Sequence, residues 1–256
     1  MSPPKLPLSV YIIASNEADR IARTIASART VSDDVLVVED GKSTDNTVDV
    51  AKAAGARVIV NPWPGFGPQK RFAEDQCQND WLLCLDADEV LTPALQDEIC
   101  ELFATSRPAL DFYKMNLAEV YPHQDRPRLW VKPTNVIRLF NRLSGRTSSS
   151  AVHDRVEVPH GATVGQLQEI CLHYSIRSLA HLIRKYDDYT TLAAQSLKPK
   201  NKSLLALRLF TEYPLMFLKY YLLHMHITGG LYGFAVAKAK ANARWARIAK
   251  MWEKSL

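Results

Sequence analysis

Residues 81–89 read Trp-Leu-Leu-Cys-Leu-Asp-Ala-Asp-Glu, and this stretch decides the fold class. Its mostly apolar first half predicts a buried strand of a parallel sheet. Asp86, Asp88 and Glu89 follow that strand, and ligands of open α/β sheets bind just beyond the carboxyl ends of strands. Three neighbouring carboxylates repel one another, so we expect a divalent cation between them. Oxygen ligands suit Mg²⁺ or Mn²⁺, and such ions commonly carry phosphorylated substrates.

The same stretch has a second interpretation. Acidic residues are ordinary just before a helix, and a helix is expected from about Pro93. The acids would then form a solvated turn that caps this helix. Residues 81–89 alone do not decide between a metal site and a helix cap.

Working outward, apolar runs and helical patterns alternate over the first part of the chain. This β-α-β-α-β-α-β order predicts a right-handed, doubly wound, mostly parallel α/β sheet. Beyond Asp111 we expect short strands and loops, with Val136–Asn141 and Val152–Val158 the clearest strands. From Ser178 the pattern is helical, and Pro214 should break or kink the second of three helices. The four strands of the first part are expected at Leu8–Ala14, Val35–Glu39, Arg57–Val60 and 81–86.

Composition is that of an ordinary folded protein. The chain has 256 residues, of which 47% are hydrophobic and 23% charged, so one large domain or one domain with an appendage is expected. Its four cysteines lack metal-type pair spacing, which favours reduced thiols in the cytoplasm. We expect no signal peptide and no membrane-spanning segment.

The positive charge is concentrated at the end of the chain. Residues 237–256 carry a net charge of +5, whereas the remainder has 26 basic and 26 acidic residues. On a helical wheel Trp245 and Trp252 share an apolar side, and Lys240 and Arg244 lie opposite. This pattern is typical of a helix lying in an anionic membrane interface. An amphipathic helix packed on its own domain would show it too.

Several other residues are candidates for chemistry. Asp40 follows the second strand, where a carboxylate suits a nucleoside pocket, although the following Ser-Thr-Asp also makes an ordinary helix cap. Lys70 and Arg71 start a helix, which a nearby phosphate would explain. Asp154, in the pair His153-Asp154, is of the type that acts as a general base toward an alcohol.

Four motifs in order resemble family 2 glycosyltransferases of the inverting GT-A class, and most closely bacterial lipopolysaccharide-core β-1,4-glucosyltransferases. His153-Asp154 is similar to a His-Glu pair of that subgroup, and His173-Tyr174-Ser175 is similar to a later His-Tyr/Ser motif. The motifs are Ser15-Asn16-Glu17, VVEDGKSTDNT at 37–47, NPWPGFGPQKRFA at 61–73 and WLLCLDADE at 81–89.

The resemblance implies a domain layout. A GT-A catalytic domain would occupy residues 1–175, with a nucleotide-binding part at 1–110 and an acceptor-side part at 111–175. A helical extension would follow at 176–256, and it would be the part that associates with a membrane.

The resemblance also implies roles. The enzyme would move a hexose from a UDP-linked nucleotide-sugar to a hydroxyl of a lipid-linked saccharide at the inner face of the cytoplasmic membrane. No nucleic-acid partner is expected. Asn16, Glu17 and Asp40 would bind the nucleotide and Lys70 its phosphates. Asp86 would bind the ribose or the metal, Asp88 the Mg²⁺ or Mn²⁺ ion, and Asp154 would take the proton of the acceptor.

Two departures from the subgroup stand out. The subgroup has Asp-Ser-Gly-Ser-Thr-Asp after the second strand, whereas this chain has Glu39-Asp40-Gly41-Lys42-Ser43-Thr44-Asp45; we match Asp40 to the first Asp. At the base, Asp154 replaces the usual Glu. One rival is a nucleotidyltransferase, which should carry a glycine-rich phosphate loop after the first strand. The other is a non-catalytic membrane-surface protein on a degenerate transferase fold.

Overall fold

Two compact units make up the protein, as seen in a computed structural model that describes residues 6–104, 107–150, 154–196 and 201–256. Within those residues, unit 1 comprises the chain up to residue 118 together with 133–173. Unit 2 comprises 119–132 and 174–256. Each unit is described separately below.

Unit 1 is built on one mixed sheet in which eight strands are described. The spatial order is β3-β2-β1-β4-β7-β6-β8-β5. The neighbours among the first four strands run parallel, whereas β7 is antiparallel to both β4 and β6, and β5 is antiparallel to β8. The strands are β1 Leu8–Ala14, β2 Asp34–Glu39, β3 Arg57–Val60, β4 Trp81–Asp86, β5 Glu89–Leu91, β6 Phe112–Glu119, β7 Thr134–Asn141 and β8 Gly165–His173.

The central strands are buried on both faces, as their apolar sequences require. Val37 and Leu83 belong to the larger core cluster on one face, and their chain neighbours Val38 and Leu82 belong to the cluster on the other. Because side chains alternate along a strand, each central strand contributes to both layers. The helices of this unit are α1 Ile21–Ala28, α2 Thr47–Ala53, α3 Phe66–Gln76 and α4 Pro93–Leu102.

Strand register brings three loops to one edge of the sheet. Ala14 of β1 pairs with Glu39 of β2, and Ile13 pairs with Asp86 of β4. The carboxyl ends of β1, β2 and β4 are therefore level. The predicted α/β fold class is confirmed, with a parallel half that places these ends together and an antiparallel half beside it.

One predicted strand is not formed as expected. Of the segment Val152–Val158, residues 152 and 153 lie outside the described residues, and the rest forms only an isolated bridge from Val156 to Thr147. The N–H of Ser148 donates to the carbonyl of Arg155, and the N–H of Glu157 donates to the carbonyl of Arg146. These bonds pair the segment with a neighbouring loop. Its alternating β-branched residues pack against the smaller core cluster without extending the sheet.

Unit 2 is helical and has its own small cores. Tyr121, Leu182 and Val236 form one buried cluster, and Leu205 and Ile248 lie in another. The helices are α5 Leu179–Ser196, α6 Lys202–Leu218 and α7 Gly230–Glu253, with a π-helical turn at Lys219–Leu223 and a 3₁₀ turn at His226–Gly229. Among the residues described, no helix combines the length and apolar character needed to cross a bilayer.

Two details of this unit differ from the sequence-based expectation. Residues 119–132, predicted to belong with 111–175, pack in unit 2, because Tyr121 joins the Val236 cluster and Glu119 pairs with Lys240 at 2.8 Å. Of the break or kink expected at Pro214, the break does not occur, because α6 continues to Leu218 before the π-helical turn.

Candidate active site

The three acids that follow β4 are each neutralised by cations of the protein itself. Asp86 Oδ2 lies 2.6 Å from Arg138 Nη2, and Asp86 Oδ1 lies 3.3 Å from Lys70 Nζ. Asp88 pairs with Arg20 at 3.2 Å, and Glu89 pairs with Arg138. Arg138, Lys70 and Arg20 supply opposing charge, so repulsion among these carboxylates does not by itself call for a metal.

Asp86 is the acid most open to a ligand, with 39% of its side chain exposed. Burial of its surroundings opposes ionisation, but the charges of Arg138 and Lys70 outweigh that effect and lower the pKa of Asp86. An ionised, partly exposed carboxylate held by two cations is suited to accept hydrogen bonds from hydroxyl groups.

Glu89 has the opposite environment, since it is fully buried. Burial raises the pKa of Glu89 to about 7 even though Arg138 lies against it. Its carboxylate also accepts a hydrogen bond from the backbone N–H of Asp86 at 3.1 Å, and Thr92 caps α4 instead. The interpretation of this stretch as a solvated acidic helix cap is therefore wrong.

Asp88 lies between an arginine and a histidine. Its side chain is 10% exposed, and Oδ1 lies 3.5 Å from His173 Nε2. Burial opposes ionisation, but the hydrogen bond and charge of His173, together with Arg20, lower the pKa of Asp88. In return, Asp88 outweighs the effect of burial and raises the pKa of His173. The strand β8 thus delivers a second potential metal ligand to the carboxylate after β4.

A buried lysine joins the strand-end acids to the candidate base. Lys70, on α3, is 2% exposed, and its Nζ lies 2.6 Å from Asp154 Oδ2 and 3.3 Å from Asp86 Oδ1. Burial lowers the pKa of Lys70, but Asp86 outweighs this effect and the pKa is raised, so the lysine stays charged. Asp154 is 37% exposed, and its chain neighbour His153 lies outside the described residues.

The loop after β1 is bonded to the loop after β2. Asn16 adopts a left-handed backbone, φ 55°, and its side-chain oxygen accepts a hydrogen bond from the N–H of Thr44 at 2.9 Å. The N–H of Glu17 donates to Thr47 Oγ1 at 2.8 Å. The Glu17 carboxylate contacts Arg20, the arginine that also reaches Asp88. Asn16 and Glu17 therefore connect the loops at this edge of the sheet.

Glu39 and Asp40, the two acids after β2, face different partners. The Glu39 carboxylate accepts bonds from the backbone N–H groups of Gly41 at 2.9 Å and Ser43 at 3.0 Å. Burial raises its proton affinity, yet the bonds to Ser43 and Gly41 outweigh it, and the pKa of Glu39 is lowered. Asp40 Oδ1 accepts from the N–H of Lys42 at 2.9 Å. Both acids thus accept hydrogen bonds from backbone N–H groups of the turn that follows β2.

The residues fit a divalent cation only in part. Among the described residues, no group of three or more His, Cys, Asp or Glu side chains is arranged to hold a metal. Asp88 and His173 nevertheless offer one oxygen and one nitrogen donor close together. Mg²⁺ is usually bound by one or two carboxylates together with substrate phosphates, so such a two-ligand site is complete only with a diphosphate present.

Two site residues were not among the sequence-based candidates. Arg138 interrupts the apolar run Val136–Phe140, and a charged residue inside a buried strand signals a buried partner. Arg20 carries no comparable signal, because an arginine at the start of α1 reads as a surface residue. Its role depends on β1 and β4 being neighbours, which only the folded sheet provides.

Several known proteins resemble this chain over nearly its whole length. Residues 9–158 match the family described as Glycosyl transferase family 2. An uncharacterized glycosyltransferase of Rickettsia prowazekii (strain Madrid E) is 38% identical over 97% of this chain and 88% of its own length. The lipopolysaccharide core biosynthesis glycosyltransferase LpsC of Rhizobium meliloti (strain 1021) is 30% identical, over 98% of this chain and 94% of its own.

Among solved structures, S. aureus TarS in complex with UDP-GlcNAc is similar, with 13% identity, a TM-score of 0.49 and coverage of 97% of this chain and 90% of that one. The family match and the full-length relatives establish that the chain belongs to glycosyltransferase family 2. It is a glycosyltransferase, as the motifs at the strand ends predicted.

Proposed function

We propose that the chain is an inverting hexosyltransferase that moves a hexose from a UDP-sugar to a hydroxyl of a lipid-linked saccharide such as lipopolysaccharide core. The observation that carries the proposal is the bridge from Asp86 through Lys70 to Asp154. It puts a second carboxylate, from a loop far along the chain, beside the strand end where the ligand of an α/β sheet binds.

The nucleotide would lie across the level ends of β1, β2 and β4. Asp40 would hold the nucleoside, with Asn16 and Glu17 shaping the adjoining loop, and Asp86 would accept hydrogen bonds from the ribose. Lys70 would contribute positive charge on the diphosphate side. These roles are supported by the common edge that the strand register creates.

Asp88 and His173 would hold Mg²⁺ or Mn²⁺ together with the diphosphate. A divalent ion there would neutralise charge on the departing diphosphate. Asp154 would accept the proton of the acceptor hydroxyl. The hydroxyl oxygen would bond to the sugar carbon while the bond from that carbon to the diphosphate breaks. A single displacement of this kind inverts the configuration at that carbon.

The acceptor assignment is supported by the likeness to LpsC over nearly the whole chain. A membrane-borne acceptor agrees with the concentration of positive charge in the helical part. Cys77, Cys84, Cys100 and Cys171 are all free thiols, which is expected of a protein in a reducing compartment. We therefore place the enzyme at the cytoplasmic face of the inner membrane.

The base assignment is tested by Asp154→Asn, which keeps the size of the side chain and removes its proton affinity. We expect turnover, measured with a nucleotide-sugar and an extract that contains the acceptor, to fall by about 10²-fold or more. The affinity for the nucleotide-sugar should be retained. The matched control is Glu157→Gln, in a side chain that is 64% exposed and lies 3.5 Å from Arg71. Near-normal turnover of Asp154→Asn together with a large loss in Glu157→Gln would move the base to Glu157.

The metal assignment is tested by calorimetry of UDP binding with and without Mn²⁺. In Asp88→Asn we expect the gain in affinity from Mn²⁺ to disappear. Asp80→Asn is the control, because Asp80 precedes β4 at the opposite edge of the sheet and pairs with Arg142 at 2.9 Å. An unchanged response to Mn²⁺ in Asp88→Asn would remove Asp88 from the metal site.

A further inference from the structure

The helix α6 is turned with its apolar side toward water. Leu204, Leu207, Phe210, Leu215 and Leu218 are each more than half exposed, and Phe210 reaches 82%. At the helical repeat these five side chains lie within about 140° of one another, so they form a single face. We call them the α6 face.

The inward side of the same helix carries Leu205, which is 1% exposed and belongs to a core cluster of unit 2, together with one buried acid. Glu212 is 5% exposed, and its carboxylate meets Arg208 at 2.7 Å and Arg244 of α7 at 3.4 Å. A helix on the surface of a water-soluble unit normally has polar residues on its outward side, whereas the outward side of α6 is apolar. A contiguous exposed apolar face of this kind marks a surface that another body covers.

Exposed apolar side chains also occur in unit 2 beyond the end of α6. Leu223, in the π-helical turn, is 62% exposed, and Leu231 at the start of α7 is 90% exposed. A loop with Leu129 and Trp130, 70% and 74% exposed, is tied to the same end, since the Leu129 carbonyl accepts a bond from Thr228 Oγ1 at 2.7 Å. A tryptophan among leucines at one end is typical of a membrane-interface surface.

Beyond its first turn, the helix α7, which the sequence suggested as the membrane helix, packs largely within unit 2. Ala237, Ala241 and Ile248 are buried within unit 2, so its apolar side packs on its own unit. Its cations meet acids of the same unit, with Lys240 on Glu119 and Lys250 on Asp187. For α7 the packing interpretation is therefore the correct one.

Charge decides what covers the α6 face. Residues 119–132 and 174–256 contain 17 basic and 6 acidic residues, a net charge of +11, whereas the rest of the chain has a net charge of −6. Lys202 and Lys219, both exposed, stand at the two ends of α6. A second copy would bring +11 against +11, while an anionic bilayer complements both the charge and the apolar face.

We propose that the α6 face lies in the surface of an anionic membrane, with Lys202 and Lys219 reaching the lipid headgroups from its two ends. The proposal deepens the membrane partner named above by assigning it to α6. It is judged by vesicle binding alone, whereas the transferase proposal is judged by turnover and UDP affinity, so the two can fail separately.

The experiment is flotation of the full chain with phosphatidylcholine vesicles and with vesicles that also contain phosphatidylglycerol. Binding to the anionic vesicles should exceed binding to the neutral ones and should weaken as salt rises, because salt screens the exposed charges. Phe210→Glu and Leu207→Glu should each weaken binding by about tenfold or more, because burial of one such side chain in the interface is lost.

The matched control is Leu143→Glu, which makes the same change at a leucine of unit 1 that is 77% exposed. It should bind vesicles as the unaltered chain does. UDP affinity and thermal unfolding of all variants check that each is folded, which is expected because the substituted side chains contact water.

Three results would overturn the proposal. The first is no binding to anionic vesicles at low salt. The second is binding that Phe210→Glu and Leu207→Glu leave unchanged. The third is self-association, in sedimentation without vesicles, that Phe210→Glu abolishes while vesicle binding persists; the face would then be an interface between copies.

Discussion

At the scale of single residues, Lys70 links the parts of the site. It is almost completely buried, yet both of its carboxylate partners, Asp86 and Asp154, are more than a third exposed. Removing one partner of a buried ion pair is destabilising because an uncompensated charge remains. Here water can reach the two acids, which reduces that penalty.

Replacing Lys70 by methionine separates its two possible roles. We expect the free energy of unfolding of Lys70→Met to fall by about 1–3 kcal/mol, because two acids lose a shared partner. If Lys70 also contacts the diphosphate, UDP affinity falls as well, and Lys70→Arg restores part of it. Chemical denaturation and calorimetry on the same samples give both values. Unchanged stability would mean that the bridge seen here contributes nothing in solution.

The sequence indicated some of these residues better than others. Asp86 and Asp88 became candidates because acids after an apolar strand are visible in the sequence, and Asp154 became one because His153-Asp154 resembles a family motif. The partners Arg20 and Arg138 were missed because each reaches these acids from another strand or helix. Charge compensation across a sheet edge depends on which strands are neighbours, and periodicity does not report this.

At the scale of elements, the start of α3 is packed against the chain that leads to Asp154. A Cβ on Gly67 would lie 2.1 Å from the carbonyl oxygen of Ser148 and 2.5 Å from that of Ser150. The N–H of Gly67 donates to the Ser150 carbonyl at 3.1 Å. Glycine at this position allows the two backbones to touch.

We expect Gly67→Ala to lower the free energy of unfolding by about 2 kcal/mol or more, because backbone must shift to admit the methyl group. Turnover should also fall, since residues 148–150 lead toward Asp154. Gly161→Ala is the comparison, because that site has φ +84° but open space around it, so only about 1 kcal/mol of backbone strain is expected. Equal losses in the two variants would show that close packing at Gly67 is unimportant.

Strands were predicted well where the burial of apolar side chains sets the sequence pattern. β1, β3 and β4 were placed correctly, and for β1 and β4 the reason is that buried parallel strands need continuous apolar runs. The orientation of α6 was not predicted, since a hydrophobic stripe shows that a helix is two-sided without showing which side meets its own protein. Leu205 packs inward and Glu212 pairs with Arg208 and Arg244, while the other leucines of the helix face water.

At the scale of the whole molecule, a buried histidine should couple stability to pH. His226 is 1% exposed and lies between Tyr121 and Lys240, the latter at 3.4 Å. Burial, and then the charges of Lys240 and Arg128, lower the pKa of His226 to about 3 from its ordinary 6.5. An ammonium only donates, so Nε2 of the neutral ring accepts from Lys240, and protonation there would set two cations against each other.

The sign of the effect follows from which state binds the proton. Between about pH 3 and pH 6.5 the unfolded chain binds the proton and the folded chain does not. The contribution of the neutral His226 to stability is therefore fully present above pH 6.5 and is lost as the pH falls toward 3. At about pH 5.5 the loss should be about 1 kcal/mol relative to about pH 7.5. Denaturation at both pH values should show a smaller difference in His226→Gln, and an unchanged one in His160→Gln, an exposed site. An equal difference in His226→Gln would assign the pH response to other groups.

The outward leucines of α6 have a kinetic consequence. An enzyme that works from a bilayer meets its acceptor in two dimensions, so its rate follows the number of acceptor molecules per area of membrane, not per volume of solution. Adding plain anionic vesicles to an assay with a fixed amount of acceptor would then slow the reaction by dilution within the surface. The Phe210→Glu enzyme would not be slowed by the added vesicles. It would turn over a short water-soluble acceptor as fast as the unaltered chain.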